Sequence, residues 1–288
     1  MREKRLPFWL KKNIGLQNDS VHALKVSLRS RNLHTVCEEA KCPNIFECFK
    51  KPTATFIIMG NICTRNCGFC SVDKGIPSPL YAYEPLNIAL AAKEMGLKHL
   101  VITSVTRDDL QDGGASFFSE VVSAVKDLNP EITIEILTPD FNGEIKAIDA
   151  VCQSPFDVFN HNLETVKRLY PVVRPQADYE RSLFVLSKAA KLRPDAKIKS
   201  GIMVGLGERK GEVIELLNDL FKAKCNYVTI GQYLKPGKDN LEVYEYVEPE
   251  IFDKHKRIAE ELGFEKVFSA PFVRSSFHAE EMLKNKIK

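Results

Sequence analysis

The sequence predicts an α/β fold built as a partial (β/α)6 TIM-like barrel, and three observations carry that prediction. Short apolar or β-branched runs recur six times after residue 53, amphipathic helical segments separate them, and polar residues gather directly after the runs. A doubly wound sheet is the alternative arrangement of the same units. The chain's 288 residues suffice for one large α/β domain or two small ones.

The six expected strands are Thr55–Gly60, His99–Val105, Thr133–Thr138, Val158–His161, Lys199–Val204 and Tyr227–Tyr233. Runs this short and continuous suit parallel strands covered on both faces. Between them, Phe117, Phe118, Val121, Val122 and Val125 follow helical spacing, as do Val213, Leu216, Leu217, Leu220 and Phe221. Thr103-Ser104, Arg107-Asp108-Asp109, Asp140 and Asn160-His161-Asn162 stand where strands feed their loops, which is the active face of a barrel. Residues 1–52 precede the repeat as an extension, with a short helix expected at Val21–Leu28. The barrel takes 53–268, and 269–288 form a tail.

Composition excludes several classes. Apolar residues at 44% and charged residues at 27% are ordinary for globular proteins, so disorder and collagen are excluded. No apolar run approaches the ~18 residues that cross a bilayer. The basic start, MREKRLPFWLKKNIG, lacks the apolar stretch of a secretory signal. A net charge of +3 suggests no nucleic-acid footprint.

The cysteines are more informative. Of the eight, six (Cys37, Cys42, Cys48, Cys63, Cys67 and Cys70) crowd one stretch, while Cys152 and Cys225 stand alone and read as packing residues. A dense cluster in a long chain points to reduced thiolates holding metal in a reducing compartment, here expected to be the cytoplasm. Cys63, Cys67 and Cys70 are spaced C-x3-C-x2-C directly after the first strand. Three thiolates on one loop can ligate three irons of a cubane and leave the fourth open to a small molecule. Tetrahedral zinc needs a fourth ligand, and none stands nearby in sequence. Gly68 in this loop is expected to let the backbone approach a ligand closely. The spacing Cys37-x4-Cys42-x5-Cys48 is less diagnostic; with His34 as fourth ligand it also fits zinc.

Together these segments carry a resemblance. The cysteine loop is similar to that of radical S-adenosylmethionine (SAM) enzymes. HTVCEEAKCPNIFEC, CTRNCGFC, ITSVTRDDLQDGG, FNHNLETVKRLY, KSGIMVGLGE, TIGQYLKP and VRSSF resemble the lipoyl synthase family over almost the whole chain. The resemblance implies a sulfurtransferase that inserts two sulfurs, at C6 and C8, into an octanoyl chain amide-linked to a lysine. Its implied cofactors are two 4Fe–4S clusters and SAM, two molecules per lipoyl group. Cys63, Cys67 and Cys70 would hold the radical-generating cluster. Cys37, Cys42 and Cys48 would hold an auxiliary, sulfur-supplying cluster between the two extensions. By the same resemblance Ser275, in Arg274-Ser275-Ser276-Phe277, is its fourth ligand; Phe277 departs from the family's usual Tyr. Implied partners are octanoylated lipoyl-carrier proteins (E2 lipoyl domains of dehydrogenase complexes and the glycine cleavage H protein), a low-potential electron donor and an iron–sulfur cluster carrier, with no nucleic acid and no membrane.

Other residues read less sharply. His161 fits either a ligand contact or a hydrogen-bonded structural role. Gly205-Leu-Gly207-Glu208 resembles a phosphate loop only superficially. Lys199, Arg174 and Thr103-Ser104 are candidate contacts to SAM. Competing functions are another radical C–H sulfur insertion or methylthiolation, and a zinc-stabilised binding module without catalysis.

Overall fold

The computed structural model describes residues 5–11, 26, 28–29, 31–39, 44, 53–276, 279 and 281. Among the described residues, the main sheet's seven parallel strands alternate with six helices of eight or more residues: β1 (Thr53–Ile58), α1 (Glu84–Glu94), β2 (His99–Ser104), α2 (Ala115–Leu128), β3 (Thr133–Leu137), α3 (Ile145–Cys152), β4 (Val158–Asn160), α4 (Tyr179–Leu192), β5 (Lys197–Val204), α5 (Glu212–Lys222), β6 (Tyr227–Gln232), α6 (Pro249–Leu262) and β7 (Lys266–Ser269). All six expected strands are present. A seventh, β7, pairs parallel with β6. Most of the helix expected at Val21–Leu28 lies outside the described residues; Val26, Leu28 and Arg29 are helical.

The strands neighbour one another in chain order from β1 to β7, with no reversal. A doubly wound sheet reverses its order at a switch point, so the winding is that of a barrel. Among the described residues no ladder joins β7 back to β1, and the barrel is partial. The free edge of β1 instead carries an antiparallel strand, His34–Thr35, through the pairs His34↔Ile57 and Thr35↔Phe56.

Local chemistry explains the helices. In α2, Phe117, Phe118, Val121, Val122 and Val125 form the buried stripe, each contributing about 2 kcal/mol by leaving water. Helix α5 buries Val213, Leu216, Leu217 and Leu220, while Phe221 stays exposed at its end. Asp178 caps α4 by accepting from the Arg181 backbone N–H at 2.7 Å. Helix α6 opens with Pro249 at its first turn and closes on Gly263 in the left-handed conformation. No helix among the described residues is long and apolar enough to cross a membrane.

Candidate functional site

The C-terminal ends of the strands open into a cavity of about 560 Å³. Cys63, Cys67 and Cys70 line it together with Ser275 and Ser276 from the tail and with Val36 and Asn44 from the N-terminal segment. The structure thus brings the cysteine loop and the tail serines to one space. Cys37 lies in a helical turn, Val36–Glu39, and its side chain is outside the described residues, as are Cys42, Cys48 and Phe277. Two bonds nevertheless tie their neighbourhood to the site. Ser71 Oγ donates to the Glu39 carbonyl at 2.8 Å, and Asn44 Nδ2 donates to the Phe272 carbonyl at 2.8 Å. His34, the alternative zinc ligand, has Nδ1 3.0 Å from a Glu39 carboxylate oxygen.

The cysteine loop is anchored on every side. Cys63 Sγ accepts from the backbone N–H groups of Arg65 at 3.4 Å and Thr106 at 3.3 Å. Gly68 donates to the Val173 carbonyl at 2.9 Å and accepts from the Leu241 N–H at 2.9 Å. A Cβ on Gly68 would meet Leu241 Cγ at 2.8 Å. The glycine therefore admits a neighbouring loop of the protein.

Arg65, between Cys63 and Cys67, has no signal of its own in the sequence. Its guanidinium is buried and forks onto Asp108 at 2.7 and 2.8 Å, with Nη2 also 2.7 Å from Asn142 Oδ1 and 2.7 Å from Asp140 Oδ1. Asp140 Oδ2 in turn accepts from Arg181 Nε at 2.8 Å. Burial alone would raise the Asp140 pKa; the Arg65 hydrogen bond and charge override it and hold the carboxyl well below the usual carboxylate range. This chain of four charges joins the cysteine loop to the loops after β2 and β3 and to α4.

Burial pushes the Cys67 thiol up, and pushes the Cys70 thiol up to about 11. Both would stay protonated at neutral pH; a bound cation removes that penalty and fixes them as thiolates. No group of three His, Cys, Asp or Glu among the described residues is drawn around one point, as a single metal ion would require. The donor set fits a cubane, in which each thiolate takes a different iron.

Four buried polar atoms at the cavity have no hydrogen-bond partner among the described residues: Ser104 Oγ, Thr138 Oγ1, His161 Nε2 and Arg174 Nε. Unmatched buried donors and acceptors cost about 1–3 kcal/mol each, so these fit a polar ligand group that completes them. Burial, followed by the charge of Arg174, pushes His161 down to about 4, and its Nδ1 bonds the Thr138 carbonyl at 2.9 Å. Its ring is neutral at pH 7, with Nε2 as an acceptor. Lys199 does not line the cavity; it is inaccessible to solvent and paired with Glu135 at 2.8 Å, which corrects its expected contact with SAM. Thr103 Oγ1 is committed to the Leu137 carbonyl at 2.9 Å. In the glycine pair loop, Glu208 accepts from the N–H groups of Gly205 at 2.9 Å and Leu206 at 3.2 Å, taking donors that a phosphate would need. Cys152 and Cys225 are buried, and burial raises both thiols, as in inert packing residues.

A barrel whose first strand leads into a three-cysteine loop defines a class, and the family model for the radical SAM superfamily matches residues 57–220. The superfamily implies a 4Fe–4S cluster and SAM as cofactors. Its fold is shared with methylornithine synthase (TM-score 0.56, 13% identity, 89% of this chain and 80% of that one) and with Streptococcus suis SuiB (TM-score 0.60, 13% identity, 98% and 61%). The N-terminal domain model of lipoyl synthase matches residues 1–42. Lipoyl synthase of Caldicellulosiruptor saccharolyticus is 52% identical, with 99% of each chain covered, and that of Caldanaerobacter subterraneus subsp. tengcongensis is 52% identical over 96% of each. The chain belongs to the lipoyl synthase family, and it is an enzyme of lipoate biosynthesis.

Proposed function

We propose that the chain completes the lipoyl group by inserting sulfur at C6 and C8 of an octanoyl chain amide-linked to a lysine of a carrier protein. One observation carries the reading: Cys63, Cys67, Cys70 and Ser275 line the same cavity. Radical generation and sulfur transfer need that proximity, because a carbon radical must meet its sulfur before it meets a hydrogen donor.

In this reading Cys63, Cys67 and Cys70 hold the radical-generating 4Fe–4S cluster, and Cys37, Cys42, Cys48 and Ser275 hold the auxiliary one. Residues 1–52 and 269–288 are then the two arms of the auxiliary site around the barrel of 53–268. When bound, the clusters and SAM, two molecules per lipoyl group, supply radical and sulfur chemistry. The protein binds, orients and excludes water. Ser104, Thr138, His161 and Arg174 offer buried polar atoms for the polar groups of SAM. Ile57, Val72, Val105, Ile202 and Met203 supply apolar lining for an octanoyl chain. Val36, Asn44 and Val273 add to the wall of this space, and a walled site keeps water from the radical.

The substrates are octanoylated lipoyl domains of dehydrogenase-complex E2 subunits and the glycine cleavage H protein. A low-potential donor supplies electrons, a cluster carrier restores the auxiliary site, and the compartment is the reducing cytoplasm. The test is mass spectrometry of an octanoyl-lysine peptide incubated anaerobically with the loaded enzyme, SAM and reductant. The expected product carries two sulfurs per octanoyl group. An unaltered or methylthiolated peptide would overturn the proposal.

A further inference from the structure

Inside the barrel lies an ion pair that does not line the cavity. Lys199 on β5 and Glu135 on β3 are both inaccessible to solvent, with Lys199 Nζ 2.9 and 2.8 Å from the two carboxylate oxygens. Such a pair adds little net stability, since desolvating both charges costs about what their attraction returns. Its geometry serves something else. Asn160 on β4 lies in register beside Lys199 and is equally inaccessible. Its Nδ2 donates to Glu135 Oε1 at 2.7 Å and to Ser275 Oγ at 2.8 Å. Ser275 Oγ donates onward to Asn162 Oδ1 at 3.0 Å. The ammonium fixes the carboxylate, the carboxylate fixes one N–H of the amide, and the second N–H is thereby aimed at the serine.

Two strand glycines make room for this arrangement. A Cβ on Gly201 would stand 2.8 Å from Asn162 Oδ1, and one on Gly231 would stand 2.1 Å from the Val273 carbonyl oxygen. Gln232 N–H, next to Gly231, donates to the Pro271 carbonyl at 3.2 Å. The barrel wall is shaped to receive the tail.

We propose that Asn160 is a positioning residue for Ser275, oriented by the buried Lys199–Glu135 pair, and that Gly201 and Gly231 are the clearances that admit the serine to its socket. The inference rests on the reading of Ser275 as a ligand of the auxiliary cluster. The test uses full-length protein with Cys63, Cys67 and Cys70 changed to Ala, so that only the auxiliary cluster is loaded, and compares Asn160→Leu with Ser275→Ala. The expected result for Asn160→Leu is parental circular dichroism and iron content, with the Mössbauer spectrum of the iron not held by thiolate moved to that of Ser275→Ala. In the enzyme with all its cysteines, Asn160→Leu should lower lipoyl product about tenfold, as loss of one buried hydrogen bond does. A second variant, Glu135→Leu with Lys199→Met, replaces the pair by apolar side chains and should fold while moving the spectrum the same way. A parental spectrum in Asn160→Leu beside a moved one in Ser275→Ala overturns the inference alone. Loss of dichroism and iron in both Asn160→Leu and the double variant makes the network merely structural and also overturns it. A parental spectrum in Ser275→Ala removes the ligand reading, and the inference falls with it.

Discussion

Asn44 Nδ2 donates to the Phe272 carbonyl oxygen at 2.8 Å, a contact between residues 228 apart in sequence. Asn44 stands between Cys42 and Cys48, and Phe272 stands three residues before Ser275. This one bond holds Asn44 against the tail.

The two ligand sets proposed above predict separable losses. Changing Cys63, Cys67 or Cys70 to Ala should lower 5′-deoxyadenosine release from SAM by more than about 100-fold, since changes to outer-shell partners alone cost 10–100-fold. Changing Cys37, Cys42 or Cys48 should spare that release and abolish the sulfurated peptide. Chromatography of the nucleoside and mass spectrometry of the peptide read the two outcomes. Lipoyl product from any of the latter variants would contradict the assignment.

Arg65→Gln should destabilise the protein even without clusters. It leaves Asp140, wholly buried, with Arg181 as its remaining guanidinium. Breaking a buried pair costs about 3–5 kcal/mol, and the remaining partner favours the lower figure. Urea melts of the cluster-free protein measure it. A change below about 1 kcal/mol would mean that the charge chain does not hold the loop.

His161 predicts a pH dependence. Its pKa falls from 6.5 to about 4 on folding, so between those values the unfolded chain binds more protons than the folded one. Stability therefore rises with pH across that window and levels off above it, by about 3 kcal/mol in total. His161→Gln should flatten the slope between pH 5 and 6.5 in urea melts (roughly the window in which histidine titrates). An unchanged slope would show that His161 is not the group responsible.

Gly231→Ala should displace the tail, because its Cβ would stand 2.1 Å from a backbone oxygen that cannot rotate away. Overpacking of this kind costs about 1–3 kcal/mol. Faster tryptic release of the C-terminal peptide is expected, together with loss of lipoyl product. Parental proteolysis and product would mean that the tail tolerates the methyl group.

Much of this architecture is legible in the sequence because strands buried on both faces must be apolar and amphipathic helices must show one stripe. β7 escapes that reading: Lys-Val-Phe-Ser is four residues long and only half buried, too short to separate from a tail. The cysteine loop is legible from its spacing alone. Arg65 is not, because Asp108 and Asp140 are distant in sequence and a lone arginine reads as surface. Lys199 misleads for the same reason, since its partner lies 64 residues away on another strand. Gly68, Gly201 and Gly231 need the fold before their purpose appears, because a glycine records that space is short without naming what fills it.

The clearance at Gly231 also orders events during synthesis. The socket for Ser275 is built by strands whose last member, β6, ends at Gln232, whereas its occupant is synthesised only after β7. A nascent or prematurely terminated polypeptide can display the complete Cys63–Cys70 loop while lacking Ser275. Under the proposed ligand set, Ser275 must be synthesised before the auxiliary site can close, so a polypeptide terminated between Gln232 and Ser275 would carry the radical-generating loop without a completed sulfur donor.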